Sequence, residues 1–306
     1  MIKYLQNHID KAVAAWFLCS VLLSMSANAQ NDIPEYKHVI IVMEENHAYH
    51  QVIGSVNAPY INKLAKYGVL FTDSHGIGHP SQPNYLALFS GSTQGVTGDE
   101  CLFGNAPFKT PNLGAALVDK GFTFKGYAQN MPSTGYLGCT YLSSGITIGH
   151  LYARKHTPWV NWLGTGPNSI PFSSSLPLTE FPKDFDKLPT VAFVIPDMDF
   201  DMHNIGFKGN AAAIRRGDTW LKDHLGDYAE WAIKHNSLLI VTFDEDDYTT
   251  GNENKIVTIF YGAKLNPGEY HIRINHYNIL HTLQSMYGLP LTDNVLAVPV
   301  SGFWTK

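Results

Sequence analysis

Apolar residues in this chain fall in short unbroken runs separated by amphipathic stretches, and that alternation sets the expected fold. The run KHVIIVM at 37–43 is continuous and rich in β-branched residues, the pattern of a strand buried on both faces. VLFTDS at 69–74, FTFKGYAQ at 122–129, TVAFVIP at 190–196, SLLIVTF at 237–243 and NKIVTIFYG at 254–262 predict further strands. Between them, APYINKLAKYG (58–68) places Tyr60, Ile61, Leu64 and Ala65 on one helical face and stops at a glycine. Helices are also expected around 85–89 with Pro83 in the first turn, at 111–121, near 214–235 with a start close to Gly217 and Asp218, and at 275–288. Residues 130–188, rich in Gly, Ser, Pro and Tyr, show little periodicity, and an irregular segment of that length is usually functional. Strands alternating with helices, with no repeat and no linker, predict one α/β domain with a mostly parallel central sheet and helices on both faces.

The N-terminus changes where that domain begins. Lys3 and Lys11 flank a polar start, AVAAWFLCSVLLSM fills 12–25, and Ala27-x-Ala29 has the small-residue pattern of a signal-peptidase site. A signal peptide over 1–29 and a catalytic domain over 30–306 are therefore expected, with a periplasmic or secreted product. The apolar run is shorter than the roughly 20 residues of a membrane span, so no stable membrane anchor is expected. Cys19 would leave with the peptide. Cys101 and Cys139 remain, and an even pair in an exported chain suggests a disulfide.

Composition is that of an ordinary globular protein, 44% hydrophobic. Loss of Lys3, Lys11 and Asp10 would move the formal charge from −5 to −6. Such a chain has no basic face for nucleic acid, which is excluded as a partner.

In a parallel sheet, ligands bind beyond the carboxyl ends of the strands. Four strands lead to chemistry there: Glu44, Glu45 and Asn46; His79 and Ser81; Asp197, Asp199, Asp201 and His203; Asp244, Glu245, Asp246 and Asp247. Converging carboxylates repel unless a cation sits among them, and oxygen ligands suit Mg²⁺, Ca²⁺ or Mn²⁺, while histidines also suit Zn²⁺. Taken singly, each group also has an ordinary reading: the DEDD run as a solvated loop, Ser81 as a helix N-cap with Asn84 three residues on, the histidines as satisfied core or surface residues.

The blocks VIIVMEENHAY (39–49), HPSQPNYLALFSGSTQGVTGD (79–99), RKHTPWV (154–160), DMHN (201–204), GDTWL (217–221), SLLIVTFDEDD (237–247) and INHYNIL (274–280) together resemble a known family. It comprises exported phosphoesterases, including bacterial acid phosphatases, phosphatidylinositol 3-phosphate phosphatases and nonspecific phospholipases C, within the alkaline phosphatase superfamily. The resemblance implies an alkaline-phosphatase-like fold and a divalent metal. It implies Ser81 as nucleophile, SQPN at 81–84 being similar to the superfamily's TFPN stretch, and Asn84 as a donor to phosphoryl oxygens. Glu45, Asn46, Asp244 and Glu245 match its metal ligands beside Ser81. Asp201, His203 and His276 match positions that complete a second metal site or serve the phosphate and leaving group. Asp199, four residues before His203, rivals Asp201. His79, Lys155 and His156 fall near the substrate.

The expected activity is a metal-dependent phosphomonoesterase of acid phosphatase type working through phosphoserine, on small phosphomonoesters with phosphoinositide among them. A phospholipase C-type phosphodiesterase is the nearest alternative. A silent phosphate-binding protein on the same scaffold is the rival from another class, disfavoured by the presence of Ser81 with all four candidate ligands.

Overall fold

The computed structural model describes residues 33–102, 107–251, 253–292 and 297–306. The expected signal peptide lies outside them.

Eight strands form one sheet: β1 (His38–Glu44), β2 (Val69–His75), β3 (Phe124–Ala128), β6 (Ser175–Pro177), β7 (Val191–Ile195), β8 (Ser237–Phe243), β9 (Lys255–Gly262) and β10 (Gly268–Asn275). Their order is β10-β2-β9-β8-β1-β7-β3-β6. β9 runs antiparallel to both β8 and β2, and every other neighbouring pair is parallel. All strands but β9 therefore end at one edge, where the sequence puts its acidic and histidine residues. β1 is central and wholly buried, as its unbroken apolar run demands. Glu44 lies opposite Phe243, so Glu45 and Asp244 leave the sheet side by side.

Alternate residues of the central strands feed two cores. Ile41, Phe193 and Ile240 pack on one face with Phe89, Leu113 and Leu280 from the helices Ser81–Ser90, Leu113–Asp119 and His276–Met286. Ile40, Val42 and Val241 pack on the other with Leu64 and Trp220 from the helices Pro59–Tyr67 and Gly209–Ala232. Each such side chain contributes about 1.5–3 kcal/mol on burial.

Two expectations need correction. The long helix begins at Gly209, so Gly217 and Asp218 lie inside it. Both serve packing: the Asp218 carboxylate accepts from Tyr60 N (3.1 Å) and Ile61 N (2.7 Å), holding the open first turn of Pro59–Tyr67, and a Cβ on Gly217 would press on Met202 and on Phe200 O. The second is β10, an exposed edge strand not anticipated from GEYHIRIN because charged residues interrupt its apolar positions.

Residues 130–188 are not wholly irregular. They carry a two-stranded hairpin of β4 (Thr140–Ser143) and β5 (His150–Ala153), the edge strand β6, and several single 3₁₀ turns. Cys101 and Cys139 are joined by a disulfide, tying the segment before the hairpin to the loop after Asp99.

Candidate active site

Ser81 is the first residue of its helix, Pro80 taking the cap position. The capping role considered for Ser81 is therefore absent: its hydroxyl donates to Glu45 Oε2 at 2.9 Å. All ten residues of the helix Ser81–Ser90 are buried, which fixes that hydroxyl against the sheet edge. The same Glu45 oxygen accepts from Asn46 Nδ2 at 3.0 Å, so three polar groups meet at one point. Asn46 has φ +53°, a left-handed conformation that asparagine tolerates, and this turn directs its backbone N–H to Asp244 Oδ1 (3.0 Å).

Glu45 Oε1 faces a second set of groups. Tyr85, one helical turn beyond Ser81, donates to it at 2.7 Å, and His156 Nε2 lies 3.0 Å away. His156 Nδ1 is 3.1 Å from Asp201 Oδ2, and the ring stacks on Tyr85 with centroids 5.0 Å apart. Burial alone would lower the His156 pKa, but Glu45 and then Asp201 raise it to about 9. Burial would raise Glu45, yet the facing imidazolium outweighs it and holds this carboxyl well below the usual range.

Asp244 and Glu245 are pushed the other way, by burial first and then by Glu45. Asp244 Oδ1 accepts from two backbone N–H groups, while Oδ2 is buried without a partner. Such an atom is costly to leave bare. The site thus has the oxygen donors, the carboxyl groups that resist ionising side by side and the orphaned carboxyl oxygen that a divalent metal ion would satisfy. Glu45, His156 and His203 form a second convergence, each offering one ligand atom, all within 4.8 Å of one another. His156, expected near the substrate, lies among these candidate ligand groups.

The remaining residues fall around this cluster. Lys155 Nζ donates to Asp99 Oδ2 (2.6 Å) and lies 3.3 Å from His203 Nε2, at the floor of a cleft of about 550 Å³. Burial lowers the His203 pKa and holds its ring neutral. Asn84 Nδ2 donates to Gly78 O (2.8 Å) and lies 3.2 Å from Glu245 Oε2, while its Oδ1 accepts from Ile77 N (2.7 Å), so it braces the loop ahead of Ser81. His79 sits 2.9 Å from Glu245 Oε2 and stacks on Tyr248. His276 Nε2 reaches the backbone oxygen of Asp244 at 2.7 Å, and burial lowers its pKa to about 4. Of the two rival aspartates, Asp201 is in the cluster. Asp199 is outside it, bound to Ser144 Oγ (2.6 Å) and Asn204 Nδ2 (2.7 Å).

Two residues escaped the sequence reading. Tyr85 could have been found, since position i+4 from Ser81 shares its helical face. Asp99 could not: it accepts from Gln82 N at 2.9 Å, a contact between segments with no local pattern in the sequence.

Residues 55–290 match the model of the phosphoesterase family. The chain belongs to that family. It is 42% identical over 295 residues to the phosphatidylinositol-3-phosphatase of Mycobacterium tuberculosis, covering 95% of this chain and 90% of the relative. It is also 31% identical over 241 residues to the phosphate-repressible acid phosphatase of Penicillium chrysogenum, and there spans 75% of itself but 54% of that longer protein. Among solved structures, an alkaline phosphatase superfamily protein from Vibrio parahaemolyticus superposes with TM-score 0.59 at 14% identity, covering 87% of this chain and 71% of that one. The fold is alkaline-phosphatase-like, and this phosphoesterase is a hydrolase of phosphoric esters, a phosphatase.

Proposed function

We propose that this phosphoesterase is an exported, metal-dependent phosphomonoesterase in which Ser81 is transiently phosphorylated. The observation that carries the reading is the Ser81 hydroxyl held 2.9 Å from an ionised, buried Glu45 at the carboxyl edge of the sheet. Glu45, Asn46, Asp244 and Glu245 would hold the metal. When bound, it supplies the positive charge that lets a serine hydroxyl ionise near neutral pH and that offsets charge on phosphoryl oxygens.

The chain's own groups do the rest. Glu45 orients Ser81 Oγ for in-line attack on phosphorus, and Tyr85 and His156 keep Glu45 in place from its other oxygen. The bond from phosphorus to the ester oxygen breaks, and the alcohol leaves with a proton. Water then cleaves the phosphoserine, returning the Ser81 hydroxyl and releasing phosphate. The Lys155 ammonium, kept protonated by Glu45 and Asp99 against the effect of burial, faces the cleft as a partner for phosphoryl oxygens. His203 lies between Lys155 and Asn204, its Nε2 3.3 Å from Lys155 Nζ and its Nδ1 3.3 Å from Asn204 Oδ1, so the ring positions the ammonium at the cleft. His276, neutral above about pH 4, supports Asp244 rather than protonating a leaving oxygen.

A phosphomonoester on a lipid is favoured among substrates by the 42% identity to a protein named phosphatidylinositol-3-phosphatase. Export is supported by the N-terminal sequence pattern together with the Cys101–Cys139 bridge. Assays on an aryl monoester, a bis-aryl diester and a phosphoinositide test the reading: hydrolysis of both monoesters and not the diester is expected, and preference for the diester overturns it.

A further inference from the structure

The mouth of the cleft carries apolar side chains that nothing covers among the described residues. Ile148, in the turn between β4 and β5, is fully exposed and lines the cleft, while Tyr141 and Leu142 of β4 are exposed outside its lining. Facing this hairpin is the loop after Asn204, with Ile205 exposed and Phe207 fully exposed. Isolated surface hydrophobes are ordinary, but a contiguous set marks an interaction site.

The two segments are built to stand together. Asp199 Oδ1 accepts from Ser144 Oγ in the hairpin turn and from Asn204 Nδ2 at the loop base. Gly206, at φ +67°, lies so close that any Cβ there would collide with Ile146 of the turn. Asp199 therefore has a positioning task distinct from the ligand role its spacing to His203 suggested. Between hairpin and loop the cleft runs inward from Gly149 and Ile205 to Lys155 and His203, next to Ser81 through Gln82.

Charge favours one kind of occupant. Residues 140–149 and 205–207 contain no Asp, Glu, Lys or Arg, so both tips can enter an apolar phase without desolvating an ion. Directly after Phe207 come exposed Lys208 and, on the first turns of the following helix, Arg215 and Arg216, in a protein of net charge −5. Apolar tips beside a local basic group are the pattern of a segment that lies on an anionic lipid surface.

We infer that the β4–β5 hairpin and the 205–207 loop dock this phosphatase on an anionic lipid surface, so that a lipid-borne phosphomonoester enters between them and reaches Ser81. The inference rests on the phosphomonoesterase reading for the headgroup, whereas the docking itself is read without turnover.

The test is co-sedimentation of the full chain with phosphatidylcholine vesicles, with and without phosphatidylserine, in parallel with aryl phosphate turnover in solution. The wild type is expected to bind the anionic vesicles. The double variant Ile148→Ser, Phe207→Ser should bind them at least ~10-fold more weakly, and Lys208→Glu should weaken binding in proportion to vesicle charge. Both variants should keep wild-type aryl phosphate turnover, which also shows that they fold. Absence of wild-type binding, equal binding by the double variant, or loss of binding traced to dissociation of a dimer of this chain would each overturn the docking surface. A wild type that binds vesicles but hydrolyses no monoester would instead refute the phosphatase mechanism and leave the docking intact.

Discussion

Tyr85 Oη donates to Glu45 Oε1 at 2.7 Å, one helical turn from the serine that donates to the other oxygen of the same carboxylate. The two hydroxyls bracket Glu45 and hold it in place, while His156, with Lys155 and His203 behind it, keeps this wholly buried acid ionised. Removing the Tyr85 hydroxyl should let Glu45 rotate without unfolding the helix. Tyr85→Phe is expected to lower kcat about 10-fold with little change in KM, the effect of one hydrogen bond to a charged group, about 1.5–3 kcal/mol. Steady-state kinetics on an aryl phosphate, with circular dichroism as the folding control, checks it.

His156 stands between Glu45 and Asp201, and its loss would leave two buried carboxylates facing each other. His156→Ala should destabilise the protein by about 3–5 kcal/mol, the range for breaking a buried ion pair from one side. Urea unfolding measures it. A loss under 1 kcal/mol would mean that the imidazole does not hold these charges.

Divalent cations should stabilise the folded chain, because binding to the native state alone raises the unfolding free energy. The melting temperature of chelator-treated protein should rise as Mg²⁺, Ca²⁺, Mn²⁺ or Zn²⁺ is added. Asp244→Asn, which neutralises the carboxylate whose Oδ2 has no partner, should abolish most of that rise.

Asp197 supplies a pH dependence at the edge of the cluster to which Asp201 belongs. Burial, with added repulsion from Asp201 and Asp199, raises its pKa to about 7, against about 3.9 in an unfolded chain. Between these values the native state holds the proton more tightly, so Asp197 favours folding below about pH 4 and this advantage is lost as pH rises through about 7. Relative to Asp197→Asn, which cannot ionise, the wild type should lose on the order of a few kcal/mol across that window. Paired melting curves at pH 4.5 and 7.5 read the difference, and parallel behaviour of the two proteins would contradict it.

Much of the fold was legible because β1, β7 and β8 are central strands whose burial leaves an unbroken apolar record. β10 left a weaker one, since an edge strand keeps one side in water. The site was legible where residues follow strand ends directly, as Glu45, Asn46, Asp244 and Glu245 do. Contacts made across distant segments left no local pattern: Asp99 reaching Gln82 and Lys155, or His156 seated between Glu45 and Asp201, follow from the tertiary path of the chain.

The most direct test is trapping of the covalent state. Wild-type protein quenched in acid during turnover of a labelled aryl phosphate should carry one phosphate on the peptide containing Ser81, and Ser81→Ala should carry none and turn over substrate at least ~1,000-fold more slowly while melting normally. Phosphate found on another residue, or turnover by Ser81→Ala within a few fold of wild type, would contradict the account.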